Sequence, residues 1–166
     1  MVVHRCTQKP LVRLKQTDKC AASRVHNATR RLVRQHLRIG RRQHLLFINE
    51  RSRLPVVFPI SEARRLGTVF PDAVCERLSI VGVAAVDIAD ERMRMSELAF
   101  GRTRNRSLLG TLNDFAFMTQ SVDARRTEPE SPEELMRFLS QTPTLPLDGA
   151  SPIELTRAVF DGYRPG

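Results

Sequence analysis

An arginine-rich segment followed by a helix-like segment is the part of the sequence best suited to chemistry. The stretch FGRTRNRSLLGTLNDFAFM, residues 100–118, places three arginines at alternate positions before an apolar run. Asn105 or Ser107 can cap the predicted helix, whose free N–H groups favour an anion. We therefore hypothesise an anion or phosphate site here. Its candidate residues are Arg102, Arg104, Arg106, Ser107, Asn113 and Asp114.

The helix predicted at residues 107–122 has two distinct faces. Leu112 and Phe115 belong to a core face, and Gly110 and Asp114 fall on the opposite face. Glycine inside a helix costs about 1 kcal/mol relative to alanine, so a close approach by a ligand or another backbone would explain Gly110. A purely structural interpretation also stays open: Asn105 caps the helix, Asp114 pairs with an arginine, and Gly110 lies under a packed strand.

Positive charge is concentrated in the first part of the chain. Residues 1–60 contain fourteen basic and two acidic side chains, and residues 128–166 contain three and seven. Arginine supplies 24 of the 27 basic residues, and its planar guanidinium binds phosphate in a bidentate manner. We predict a nucleic-acid-binding surface, whose candidate residues are Arg30, Arg31, Arg34, Arg38, Arg41 and Arg42.

The charge distribution is also compatible with a chain that binds no polyanion. Codon composition can favour arginine over lysine without any ligand. The acidic C-terminal end can also fold over the basic front and neutralise it.

A metal site is not expected. His4, Cys6, Cys20 and His26 are ligand types found in zinc sites, but their spacing lacks the closely paired ligands of such sites. We predict no metal and no cofactor. The three cysteines are an odd number, which favours free thiols.

An enzyme acting on phosphodiesters is one alternative function. The candidate bases are His4, His26, His36 and His44, and the candidate carboxylates are Asp114 and Glu50. The sequence contains no nucleophile motif and no glycine-rich phosphate loop, so we favour a protein without enzymatic activity.

The strands follow from apolar runs. The runs at residues 45–48 and 54–60 flank the polar NERSR and predict a β-hairpin. Pro55 and Pro59 cannot donate to a ladder, so the second run is expected at an edge or a bulge. Further strands are predicted at residues 2–7 and 98–103.

Helices are predicted between and after these strands. A short helix is expected from Pro10, then a loop at residues 16–27. The remaining predicted helices lie at residues 27–40, 61–66, 70–83, 83–98 and 107–122. Ser131-Pro132 and Ser151-Pro152 each start a helix of the C-terminal tail.

These elements predict an α+β fold. We expect a small three-stranded sheet that includes the hairpin and packs against several helices, with a two-helix C-terminal tail. The 166 residues suit one domain. We place a basic α+β domain at residues 1–122, a charged linker at 123–132 and a docked helical tail at 133–166. No apolar run reaches the roughly 18 residues of a membrane helix, and no signal peptide is visible, so we expect a cytoplasmic protein.

Three segments carry a family resemblance: HRCTQKPLVRL, LLFINERSRLPVVF and above all NRSLLGTLNDFAFM. The chain resembles an uncharacterised family of small bacterial proteins, a domain of unknown function, over roughly residues 2–122. The resemblance implies no reaction, cofactor or catalytic residue. It implies only that the N-terminal part and the helix near residues 105–118 belong to one fold.

We therefore favour a non-enzymatic nucleic-acid-associated or regulatory protein that binds polyanions through arginines. Aromatic residues make up only 5% of the chain, which argues against a base-stacking platform. A second hypothesis is a protein–protein interaction module of a small two-gene system. In that case an acidic partner protein would cover the basic front, and the two-helix tail would be the contact arm. The sequence does not determine the oligomeric state.

Overall fold

The computed structural model describes residues 2–6, 31–95, 98–102, 105–123, 131–143 and 149–162. For residues 2–6, 31–34, 98–102 and 122–123 it describes the main chain. The helix predicted from Pro10 and the loop predicted at residues 16–27 lie outside the described residues.

Within the described residues, five strands form one mixed sheet. They are β1 (Val2–Cys6), β2 (Arg31–Ile39), β3 (Arg42–Asn49), β4 (Pro55–Pro59) and β5 (Leu98–Arg102). Their order is β4-β3-β2-β1-β5. β1 is parallel to β2 and β5, whereas β2, β3 and β4 pair in antiparallel fashion. The predicted α+β class is confirmed, and the sheet has five strands where three were predicted.

β2 is the strand for which no strand segment was predicted, and the helix predicted at residues 27–40 is wrong over residues 31–39. β2 pairs with β3 along its whole length, from Leu32 opposite Asn49 to Ile39 opposite Arg42. Gly40 turns the chain with a positive φ of 54°, as the first central residue of a type II′ hairpin turn does. Gly40 therefore opens a hairpin turn, where a helix end was predicted.

The hairpin between β3 and β4 is confirmed. Asn49 Oδ1 accepts the N–H groups of Arg51 and Ser52 at 2.8 and 2.9 Å, which closes the polar connection as an Asx turn. β4 lies at the edge of the sheet, as its two prolines predict.

A 3-10 helix lies at Ile60–Arg65, and the α-helices come after it in the chain. They are α1 (Leu66–Ile80), α2 (Ala85–Arg94), α3 (Arg106–Asp123), α4 (Pro132–Gln141) and α5 (Pro152–Asp161). Ser131 and Ser151 each cap their helix in a capping box with a glutamate, so the two Ser-Pro helix starts are confirmed. Among the described residues, no helix has both the length and the apolar character needed to cross a bilayer.

Helices cover both faces of the sheet because β3 is apolar on both sides. Leu45 and Phe47 pack in one cluster with residues of α1 and α5, and Leu46 and Ile48 pack in a second cluster with residues of α3 and α4. Successive strand residues point to opposite faces, so the continuous apolar run of β3 is that of a central strand.

The C-terminal helices contribute to this core. Leu135 and Leu139 of α4 are fully buried, and Met136 packs against both clusters. The amide N–H of Val57 in β4 donates to Met136 Sδ at 3.3 Å, and Arg77 Nη2 of α1 donates to the Met136 carbonyl at 2.8 Å. Helix α4 therefore lies against both β4 and α1. The predicted domain and linker boundaries stay predictions.

Candidate functional site

The turn between β2 and β3 is a cluster of exposed positive charge, which we call the arginine tip (Arg38, Arg41 and Arg42). All three side chains are exposed. None of the three forms an ion pair with another residue in the described part of the chain; the ion pairs found there include Arg65–Glu62, Arg92–Asp72 and Arg94–Asp90. Arg38 Nε donates to the Gly40 carbonyl at 3.2 Å, which orients its guanidinium. The arginine tip therefore presents three guanidiniums within five residues, and no described acidic side chain compensates them.

The register shows that the arginine tip extends beyond the neighbouring strands. β4 pairs with β3 only as far as His44, and β1 pairs with β2 only as far as Arg34. The last two residue pairs of the hairpin are Arg38–Gln43 and Ile39–Arg42. Among the described residues, no third strand lies beside these two pairs. In the part of the chain that the structure describes, the sheet narrows here to a two-stranded ribbon.

The two faces of this ribbon differ in their packing, but each carries an arginine. Leu37 and Ile39 are 4% exposed and pack in the same cluster as residues of α3. Arg42 pairs with Ile39 and points to the same face, whereas Arg38 points to the opposite face. Arg41 occupies the turn. Buried anchors thus hold a ribbon that has one guanidinium on each face and a third at its end.

Half of the predicted nucleic-acid residues meet at this tip. Arg38, Arg41 and Arg42 come together on a hairpin, although a helix was predicted to carry Arg38. Arg31 and Arg34 lie in β2, which is described there by its main chain, and Arg30 lies outside the described residues. Leu37, Arg38 and Ile39 alternate as strand residues do, but Gln35 interrupts the pattern, so the sequence signal for this strand is weak.

The start of α3 confirms the predicted cap. Asn105 Oδ1 accepts the N–H of Leu108 at 3.2 Å. Ser107 is exposed, and its Oγ accepts a hydrogen bond from Arg53 Nη2 at 3.1 Å. Arg106 is exposed beside it. Arg102 lies in β5, which is described by its main chain, and Arg104 lies outside the described residues.

The remaining candidates of the anion site lie further along α3. Asn113 and Asp114 are exposed, six and seven residues after Ser107, which is about 10 Å along a helix. A Cβ added to Gly110 would meet nothing within 4 Å among the described residues. Among the described residues, no closely packed strand or backbone therefore accounts for Gly110.

Arg53 contacts the start of α3, and sequence reasoning missed it. The residue is 6% exposed, adopts a φ of 60°, and donates from Nη1 to the Glu50 carbonyl at 2.6 Å. Its Nε has no partner among the described residues. Burial lowers the pKa of Arg53, and the nearby Glu50 charge opposes that shift. No sequence pattern marks this arginine, because it adopts a left-handed conformation more usual for glycine or asparagine.

The arginine tip and the Arg53–Ser107 contact are two separate places. β3 starts at Arg42 and ends at Asn49, four residues before Arg53. A strand of this length spans about 25 Å. The two groups therefore cannot bind one small anion together.

The described histidines and carboxylates that were proposed for catalysis are not brought together. His44, 4% exposed at the start of β3, has a pKa lowered by burial, and Glu50 follows the opposite end of that strand. His36 is half-buried in β2. Asp114 is exposed on α3. Within the described residues, no set of three histidine, cysteine or acidic side chains could hold a metal ion.

The zinc candidates fall where no side chain is described. His4 and Cys6 lie in β1, which is described by its main chain, and Cys20 and His26 lie outside the described residues.

Comparison with protein families gives one match. A family model described as Domain of unknown function (DUF6933) matches residues 3–155. Because the match covers most of the chain, the protein belongs to this family. The match with the family model extends into α5, whereas the resemblance noted in the sequence covers only roughly residues 2–122. Searches among curated proteins and among solved structures gave no match.

Proposed function

We propose that this member of the DUF6933 family is a non-enzymatic protein that binds nucleic acid through its arginine tip. The observation that carries the proposal is the exposure of Arg38, Arg41 and Arg42 without an ion-pair partner among the described residues. Arginines in contact with phosphates release condensed counterions, and this release supplies most of the non-specific affinity for nucleic acid. A cytoplasmic location is part of the proposal, because nucleic acid is accessible there.

The charge distribution supports the same proposal. The tip belongs to the N-terminal sixty residues, which hold fourteen basic and two acidic side chains. Helix α4 of the acidic C-terminal end packs against β4 and α1 through Val57 and Arg77. Neither contact involves the arginine tip, which supports its availability to a polyanion.

The experiment is a salt titration of binding to a fluorescently labelled nucleic acid. The logarithm of the affinity should fall linearly with the logarithm of the salt concentration, with a slope of about −0.9 for each phosphate neutralised. The variant Arg38→Gln/Arg41→Gln/Arg42→Gln should make that slope less negative by about 0.9 for each of the three arginines that contacts a phosphate. A matched control is Arg51→Gln, which removes an exposed arginine at the other end of β3.

Two results would contradict the proposal. One is a flat salt response of the unaltered protein. The other is a triple variant that keeps the affinity of the Arg51→Gln control.

The interaction-module hypothesis makes a different prediction for the same assay. An acidic protein partner would be imitated by polyglutamate, so polyglutamate should then compete with nucleic acid at equal charge concentration. We do not prefer this hypothesis, because Leu135 and Leu139 of the predicted contact arm are buried in the core. Strong competition by polyglutamate would reverse that preference.

A further inference from the structure

The shape of the arginine tip restricts the kind of nucleic acid that it fits. We propose that the tip enters the major groove of double-stranded DNA, an inference that rests on the proposed function. B-form DNA has a major groove about 12 Å wide, which admits a two-stranded β-ribbon. Among the residues that the structure describes, the hairpin is such a ribbon beyond His44 and Arg34, where the pairing of β4 and β1 ends.

The placement of charge on both faces favours a groove over a flat surface. A groove has a phosphate backbone on each wall, whereas a single strand has one backbone. Arg38 and Arg42 point to opposite faces of the ribbon, so each faces one wall when the ribbon enters the groove. Arg41 lies in the turn at the leading end, where it faces the base edges on the groove floor.

The composition of the ribbon excludes the usual way of binding single strands. Such binding relies on aromatic side chains on which bases stack. Residues 35–43, QHLRIGRRQ, contain no phenylalanine, tyrosine or tryptophan. The guanidiniums instead offer hydrogen-bond donors, and arginine donors suit the guanine O6 and N7 acceptors exposed in the major groove.

Duplex RNA fits less well than duplex DNA. The major groove of an A-form helix is deep and narrow, and side chains cannot read it. The ribbon is also held in place before binding, because Leu37 and Ile39 are buried against residues of α3. A rigid ribbon loses little conformational entropy on docking, but it cannot reshape itself for a narrow groove.

The test compares three labelled probes of one sequence: duplex DNA, duplex RNA and single-stranded DNA. We expect the duplex DNA to bind the full-length protein most tightly. Removing one phosphate contact should weaken binding about eightfold at about 0.1 M salt, as a slope of −0.9 per contact implies. Arg38→Gln and Arg42→Gln should each show this loss, and the Arg51→Gln control should not.

A chemical footprint identifies the groove. Dimethyl sulfate methylates guanine N7 in the major groove and adenine N3 in the minor groove. Bound protein should protect guanine N7 and leave adenine N3 reactive, and Arg41→Gln should reduce the N7 protection. Circular dichroism of each variant checks that these exposed substitutions leave the fold intact.

The outcomes separate this inference from the proposed function. Equal, salt-dependent affinity for all three probes, or protection of adenine N3 instead of guanine N7, overturns the groove inference and leaves nucleic-acid binding in place. Absence of binding to every probe overturns both.

Discussion

Arg53 Nη2 donates a hydrogen bond to Ser107 Oγ at 3.1 Å, joining the turn after β3 to the first turn of α3. The two residues are 54 positions apart in the chain. Arg53 is almost fully buried, and its positive φ is a strained backbone conformation for a residue other than glycine. The contact therefore acts as a fixed point between two distant segments, and we assign it a structural role.

The first prediction tests that role. Ser107→Ala removes the acceptor of a partly buried hydrogen bond of Arg53, so the free energy of unfolding should fall by about 0.5–1.5 kcal/mol. Urea denaturation measures the change. In an Arg53→Gly background, where the donor is absent and the positive φ suits glycine, the same serine substitution should cost much less.

A matched control lies on the same helix. Ser121 Oγ donates only to the Phe117 carbonyl one turn earlier, so Ser121→Ala should change stability by only a few tenths of a kcal/mol. If Ser107→Ala lowers the free energy of unfolding equally in the unaltered protein and in the Arg53→Gly background, the Arg53–Ser107 contact does not have the structural role assigned to it.

The second prediction concerns the glycine that sequence reasoning singled out. Gly110 lies inside α3, and an added Cβ meets nothing within 4 Å among the described residues. Gly110→Ala should therefore raise the free energy of unfolding by up to about 1 kcal/mol through helix propensity and a less flexible unfolded chain. Thermal denaturation gives the sign directly.

Gly82→Ala is the counterpart, because Gly82 has a φ of 88° and its added Cβ would lie 3.5 Å from Arg157 Nη2. That substitution should lower stability. If Gly110→Ala also lowers stability, a contact on the exposed face of α3 must account for the glycine.

The third prediction is a dependence of stability on pH through His44. Burial lowers the pKa of His44 below the usual histidine value of 6.5. The unfolded chain therefore takes up this proton at a higher pH than the folded chain. The contribution to stability is complete above about pH 6.5 and is lost as the pH falls toward the lower folded pKa, by at most about 1.4 kcal/mol per pH unit.

Urea denaturation at about pH 8 and about pH 5 measures this change. His44→Leu should reduce the difference between the two pH values. Gln43→Leu, a neighbouring substitution that removes no titrating group, should preserve it. An unaltered difference in His44→Leu would assign the pH dependence to other groups.

The fourth prediction tests whether the C-terminal helices are part of the folded unit. Leu139 of α4 is fully buried against the α3 side of the sheet, whereas Phe138 is 41% exposed. Leu139→Ala should lower the free energy of unfolding by about 2–5 kcal/mol, as other buried leucines do. Phe138→Ala on the same helix should cost clearly less.

Deletion of residues 131–166 extends this test. It should abolish cooperative unfolding, because Arg77 would lose its Met136 and Ser140 acceptors together with the apolar cover of the sheet. A truncated chain that keeps its unfolding midpoint would restore the tail to the role of a separate arm.

Local signals in the sequence predicted the elements that local interactions stabilise. The two C-terminal helices start at Ser131 and Ser151. At each start the serine and a glutamate three residues later form a capping box, and a proline follows the serine directly. The β3–β4 hairpin was visible because two apolar runs flank a polar loop that Asn49 closes by its own side chain. In each case the signal lies within about five residues of sequence.

The β2 strand could not be assigned in that way. Its pairing with β3 and its parallel pairing with β1 involve residues distant in the chain, and its arginines suit a helix as well as a strand. The arginines of the tip were therefore predicted as binding residues from the charge of the sequence. The hairpin that brings them together was not predicted. Arg53 was missed for a similar reason, since its environment is created by Ser107 on a helix 54 residues away.

The contact between Val57 and Met136 has a consequence for the behaviour of concentrated protein. A free amide on an outer strand can recruit a strand of another molecule and start a fibril. Here the thioether of Met136 accepts that amide, and the two prolines of β4 have no amide hydrogen to offer. Oxidation of Met136 to the sulfoxide would make this side chain polar and disturb its packing. Peroxide treatment is thus the condition under which we expect this protein to begin self-association.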